Sequence, residues 1–181
     1  DGQQTDRSFR VLPHPGIDAP AEAYRSQQQA LEQIDAAIRD MHKAVGQLRK
    51  VTAQLNSYQS LLEGNEKAQP LLEKGEALKE RITQWEESLI QPKQKTFQDV
   101  INFPNRLNAE LMNLHSRANT HDPRVTAGAQ ARLADLLAAW EEIAGERDAI
   151  LNGDIAAFNQ LYEERALPAV FIPSMLEEKG Q

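Results

Sequence analysis

The stretch Tyr24–Leu62, YRSQQQALEQIDAAIRDMHKAVGQLRKVTAQLNSYQSLL, carries one uninterrupted seven-residue apolar repeat. With Tyr24 at position a, the a positions are Tyr24, Leu31, Ile38, Val45, Thr52 and Gln59, and the d positions are Gln27, Ile34, Met41, Leu48, Leu55 and Leu62. Alternating steps of three and four place these residues on one stripe of a single long helix, strongly apolar at its centre and polar at its ends. At about 1.5 Å per residue such a helix runs roughly 60 Å, more than one compact neighbour covers. Several later helices must therefore share it.

Downstream, three more helical seams appear. Gly64 and Asn65 tolerate the left-handed conformation that stops a helix, and the short turn predicts that the next helix doubles back. Leu71, Gly75, Leu78, Ile82, Trp85 and Leu89 form the second seam, starting at Pro70, where a first-turn proline costs no hydrogen bond, and ending by Pro92. Residues 91–103 read as a polar connector anchored by Phe97, Val100 and Ile101. A third helix is expected from Phe103 or Pro104, with Leu107, Leu111, Leu114 and Ala118 on its face. Asn119–Asp122 break the pattern, and Asp122 with Pro123 forms a cap and first-turn pair for a fourth helix. Its face is Ala129 or Gln130, Leu133, Leu137, Trp140, Ala144 and Leu151, widened by Leu136 and Ile143. Asn152 and Gly153 stop or bend it, and Asp154 caps a short fifth helix carrying Ile155, Phe158 and Leu161. The fold class is all-α: an antiparallel four-helix bundle with one long first helix and a short fifth. Its seams are self-sufficient, so a monomer is expected.

Both ends differ from the middle. Ser8-Phe9-Arg10-Val11-Leu12 alternates like a half-buried strand, and Pro13, Pro15, Gly16 and Pro20 then make a stiff connector. A lone strand needs partners. It either lies along the bundle or closes an upstream β domain, and the second reading is adopted. Residues 1–20 are thus the end of a β domain plus connector, 21–173 the bundle, with Asp18 as N-cap of its first helix, and 174–181 a frayed tail after an apolar extended run from Pro168 to Pro173.

The chain of 181 residues has a formal charge of -7 and a pI near 5.2, which argues against general binding to nucleic acid or to anionic membrane. Lys and Arg interleave with the acids on polar helix faces. Without cysteine there is no disulfide and no thiolate metal site, but compartment stays open. No run approaches the ~20 apolar residues of a membrane span, and no basic-then-apolar export signal begins at Asp1, so any such signal is expected upstream.

Chemistry-bearing motifs are sparse. A carboxylate-bridged metal site in a bundle needs Glu-x-x-His pairs, whereas Asp40 with His42 and Glu110 with His115 are off that spacing. His115, His121 and Asp122 share one turn and read as a helix junction rather than a ligand set. No phosphate loop or nucleophile elbow occurs. Glu86-Glu87, Glu141-Glu142 and Glu163-Glu164 point neighbouring carboxylates in different directions, as solvated faces do. Trp85 and Trp140 sit on seams, where an indole fills a core and sends its N–H to a partner. No cofactor or metal is expected. The polar run Asn102, Phe103, Pro104, Asn105, Arg106 and Asn108 departs from simple bundle design. It serves either to fix the turn or as an interaction surface, with Arg106 clamping the connector or meeting a carboxylate of another domain.

The run Asp99-Val-Ile-Asn-Phe-Pro-Asn-Arg-Leu-Asn108, the leucine helix after it, the break, the helix from Thr126 to Leu137 and the late Asn152–Leu161 element with Asn159 come in an order that resembles a known arrangement. It is that of the C-terminal helical region of large bacterial proteins with sortilin-type or BNR-type β-propeller repeats, often labelled glycosyl hydrolases or sialidase-like. The resemblance covers residues 5–173, with Phe9–Leu12 matching the closing strand of a preceding β-sandwich. It implies a non-catalytic accessory module for docking or spacing at the end of a larger exported protein, partnered by that protein's upstream domains. Sugar-cleaving carboxylates would lie in the propeller, and none carries over to this chain. Two alternatives stand beside this reading: a free-standing coiled-coil adaptor that pairs through the first helix, and a non-catalytic part of a glycosyl hydrolase whose active site lies upstream.

Overall fold

The structure is a computed structural model that describes residues 2 and 4–167. The expected apolar run from Pro168 and the tail after it lie outside the described residues, as does the Phe97 side chain. Among the described residues the chain is all-helical: α1 (Ala21–Leu62), α2 (Gln69–Leu89), α3 (Leu107–Ala118), α4 (Ala127–Ala149) and α5 (Ile155–Glu164), with no strand.

α1 is 42 residues long and buries Ile34, Met41, Leu48, Leu55 and Leu62, five of the six d positions. Ala30, Ala37 and Ala44, each one residue before an a position, are buried with them. This widens the stripe enough to face two neighbours, and alanine lets a second backbone approach closely. The first neighbour is α2, running back along the C-terminal half of α1: Arg49 meets Glu86, and Lys79 Nζ reaches Asn56 and Gln59 at 2.9 and 2.7 Å. α3 continues in the same direction along the N-terminal half, with Asn108 opposite His42 and Ala118 opposite Gln27. The second neighbour is the α4–α5 pair, which runs parallel to α1. Arg147 of α4 reaches Asp40, and Phe158 of α5 packs by Tyr58. Consecutive α1 and α2, and α3 and α4, are antiparallel as expected, but α2 and α3 follow one another in the same direction, end to end, so each level of the bundle is three helices thick. The length of α1 dictates this: 42 residues span about 63 Å, and α2 and α3 are needed in series to cover it.

Trp85 is the central packing residue of the α2 half. It is 2% exposed and donates its indole N–H to the Ile143 carbonyl at 2.9 Å. Trp140 is buried on α4 with the Arg147 guanidinium 5.8 Å from its ring centre. Gly64 ends α1 with φ +77°, the left-handed stop expected of it. Pro70 sits in the first turn of α2, also as expected.

Several boundaries differ from the sequence reading, each for a local reason. Pro20 is the N-cap of α1 and no side chain caps it. Asp18 lies two residues too early to reach the first amides, and its charge acts on Arg124. α2 ends at Leu89, three residues before Pro92. α3 begins at Leu107 and not at Phe103, because the Phe103 carbonyl, which a helix would offer to residue 107, accepts Gln94 Nε2 instead. α4 begins after Thr126, whose Oγ1 accepts the Ala129 N–H at 3.1 Å. Asp122 is spent on Arg124, and Pro123 is buried in the turn.

The α4–α5 junction is a π turn at Ile150–Asp154, through which the helical backbone continues without a break. Ile150 and Phe158 are both buried and are eight residues apart, one more than two regular turns supply. The wider turn absorbs the extra residue and keeps both on the core side. Ile150 is the fully buried residue here, with the expected Leu151 partly buried against the same core, and Asp154 makes no side-chain cap on α5 but pairs with Arg81 Nε at 2.8 Å.

Two exposed glycines inside helices, Gly46 in α1 and Gly145 in α4, have open space where a Cβ would stand. Gly46→Ala and Gly145→Ala should each raise unfolding free energy by about 0.5–1 kcal/mol by removing backbone freedom, and their effects should add. Urea denaturation followed by circular dichroism checks this, and a loss at either site would contradict the open packing described.

Candidate functional site

The polar run singled out from the sequence is the α2–α3 connector and the first turn of α3. Its framework is a 3-10 turn at Phe97–Ile101 closed by a capping box, in which the Asp99 carboxylate accepts the Lys95 and Thr96 amides, each at 2.7 Å. Those backbone bonds, Thr96 first and Lys95 second, hold the Asp99 carboxyl below the usual carboxylate range. Gln94 closes the other side: its amide donates to the Phe103 carbonyl and, at 3.2 Å, to Asn105 Oδ1. The Phe103 N–H returns to the Asp99 carbonyl at 2.8 Å, and Lys93 Nζ sits 5.9 Å from the Phe103 ring centre.

Asn108 is the second residue of α3 and crosses to α1. Its Oδ1 is 3.1 Å from His42 Nε2, and its Nδ2 donates to Met112 Sδ at 3.7 Å. Asn105 and Asn108 thus tie the connector to Gln94 and to α1. Asn102, Pro104 and Arg106 are exposed, and the Arg106 side chain meets no carboxylate among the described residues. Val100 and Ile101 do not anchor the connector as expected. They are 46% and 83% exposed, because the capping box turns them outward.

The other chemistry-bearing groups are dispersed. His115 Nε2 lies 3.4 Å from Asp35 across α1 and α3, while His121 faces His14 with ring centres 6.1 Å apart, so His115, His121 and Asp122 form no common cluster. Among the described residues no three His, Asp or Glu side chains come together to hold a metal ion. Of the paired glutamates, Glu86 is half-buried and held by Arg49, while Glu87, Glu141, Glu142, Glu163 and Glu164 are exposed. No helix among the described residues is long and apolar enough to cross a membrane.

The α3–α4 turn, read from sequence as a helix junction, also holds a close ion pair. Asp122 accepts Arg124 Nε and Nη2 at 2.8 and 2.6 Å together with the Arg124 backbone N–H at 3.1 Å. The guanidinium contact, then the backbone bond, moves the Asp122 carboxyl from 3.8 to about 2. A carboxyl depressed in the folded state contributes stability that is complete above its unfolded value and is lost as pH falls through the folded one. The turn should therefore hold above about pH 4 and loosen as pH falls from there toward about 2. Titration of the Asp122 carboxyl carbon by NMR, with amide shifts of residues 120–126 as reporter, checks this; Asp122→Asn should remove the transition.

No protein-family model, no curated protein and no solved structure matches the chain.

Proposed function

We propose that the chain is a non-catalytic helical module, for docking or spacing, that follows the β domains of a larger exported protein of the sortilin-like or BNR-propeller kind. The observation that carries this reading is the state of residues 8–12. Phe9, Val11 and Leu12 are 88%, 82% and 67% exposed, and no backbone hydrogen bond joins this stretch to other described residues. An alternating apolar stretch costs free energy when it stands open to water, and pairing with a sheet would remove that cost. Beside it, Val11, Leu12 and Pro13 with Ala21 and Tyr24 line an apolar hollow of ≈ 490 Å³. The Tyr24 hydroxyl is buried there without a hydrogen-bond partner. Both features suit a neighbouring domain at the N-terminal end of the bundle. Among the described residues the core holds no buried polar or charged residue, which suits a rigid spacer.

The test is the intact mass of the native polypeptide containing residues 103–137, captured from source cells by antibody and measured by mass spectrometry. A mass several times 20.3 kDa, with propeller-type peptides in the same chain, is the expected result. A mass near 20.3 kDa would sink the reading and turn attention to a self-contained adaptor.

A further inference from the structure

On one side of the α3–α4 turn is an open cleft of ≈ 410 Å³, and it concentrates positive charge on a chain whose net charge is -7. Three arginines from three elements line it: Arg117 from the last turn of α3, Arg124 from the turn and Arg132 from α4. Among the described residues no aspartate or glutamate lines it, although Asp122 and Glu110 reach Arg124 and Arg132 from beside it. Its floor is apolar, built by Leu114 and Val125, and Thr126 supplies a hydroxyl at one side.

The three guanidinium groups are unequally committed. Arg124 is taken by Asp122 through two nitrogens and serves to hold the turn. Arg132 spends one nitrogen on Glu110, at 3.2 Å. Arg117 meets no carboxylate among the described residues; its Nε donates to Asn113 Oδ1 at 3.1 Å, leaving both terminal nitrogens unused. A planar guanidinium with free N–H groups matches the paired oxygens of a carboxylate or a phosphate. A concave wall of one sign attracts such a group at short range, while the acidic remainder of the surface is screened beyond roughly 10 Å.

We propose that this cleft binds a small organic oxyanion, a carboxylate or phosphate carried on an apolar body. Arg117 and Arg132 hold the oxygens, and the apolar body rests on Leu114 and Val125. Arg124 sets the wall and takes no part in exchange with solvent anions, because Asp122 already occupies it. The site does not depend on what lies upstream of the bundle, so it stands or falls separately from the reading of the chain as an accessory module.

The test is a titration of the whole isotope-labelled chain, followed by amide NMR, with phenyl phosphate and benzoate as probes and inorganic phosphate and sodium chloride as controls. The expected result is saturable shifts confined to residues 114–132, with a dissociation constant on the order of 1 mM and at least about tenfold tighter binding than inorganic phosphate. Tighter binding of phenyl phosphate assigns the site to phosphate esters, and tighter binding of benzoate to carboxylates. Arg117→Gln with Arg132→Gln should abolish saturation, while the charge-matched pair Arg25→Gln with Arg165→Gln should leave it intact. Amide spectra of both double variants show whether the fold survives. Shifts that rise linearly and equally with sodium chloride, or that persist when Arg117 and Arg132 are both replaced, would overturn the proposal.

Discussion

Trp85→Ala should remove about 3–5 kcal/mol of folding free energy, a large share of the roughly 5–15 kcal/mol that a domain of this size holds. Trp85 stands where α2, α4 and the middle of α1 meet, and it is 2% exposed. Removing it leaves a cavity that three helices cannot close without tilting, because each is pinned elsewhere along its length. α2 is held to α1 by the Lys79 cluster and by Arg49 with Glu86, and α4 is held to α1 by Arg147 with Asp40. Trp85→Phe separates packing from hydrogen bonding. It keeps most of the ring volume and loses the N–H donated to Ile143, for about 1 kcal/mol, since an interior helical carbonyl retains its own helix donor. Urea denaturation of both variants by circular dichroism, with Trp140 as the remaining fluorophore, gives the two numbers. Equal losses for Phe and Ala would mean that the indole hydrogen bond, and not the packing, holds this junction.

How the sequence specified this junction shows where periodicity is informative. Strong apolar residues at regular spacing placed Ile34, Met41, Leu48, Leu55 and Leu62 of α1 correctly, and likewise Leu71, Leu78, Ile82, Trp85 and Leu89 of α2. The expected indole partner for Trp85 exists as well. The second half of the α1 interface was harder to see, because Ala30, Ala37 and Ala44 are small and weakly apolar. All three are buried, and Ala30 shares a hollow with Leu133 and Leu137 of α4, a contact that only the third dimension reveals. Gln27 makes the same point from the polar side. It stands at a d position, where a heptad reading counts it as a blemish, yet its amide donates to the Ala118 and Thr120 carbonyls, each at 2.8 Å, and so satisfies the end of α3.

Starts of helices were less legible than their faces. A cap is a contest between nearby side chains for a few amides, and the winner depends on bonds that span the connector. Gln94 took the Phe103 carbonyl, which moved the start of α3, and Arg124 took Asp122, which left capping to Thr126. The π turn at Ile150–Asp154 was invisible for a similar reason: a single extra residue between Ile150 and Phe158 reads as noise in a 3.6-residue pattern until both are known to face inward. In the candidate connector, asparagine density drew attention to the run; Asn105 bonds to Gln94 and Asn108 to His42, while Asn102 is exposed. The arginine-lined cleft carried no such mark, since Arg117, Arg124 and Arg132 are separated in sequence and meet only because α3 and α4 are joined by a tight turn.

Leu111→Ala should be the second severe substitution, at about 2–5 kcal/mol, but with a different signature. α3 has only 12 residues, too few for a helix to persist in water without tertiary packing. What fixes it is the stripe Leu107, Leu111, Leu114 and Ala118, of which Leu111 alone is fully buried. Its polar ties, Asn108 to His42 and His115 to Asp35, are on or near the surface, and exposed contacts of this kind contribute little alone. Truncating Leu111 therefore weakens α3 more than the rest of the bundle, where α1 and α2 keep their own contacts through the opposite half of α1. Hydrogen exchange should accelerate first and most in residues 107–118 and in the facing turns of α1, while residues 71–89 keep most of their protection. Uniform acceleration across all helices would instead show that the bundle unfolds as one unit, with the end-to-end arrangement of α2 and α3 imposing no boundary on its cooperativity.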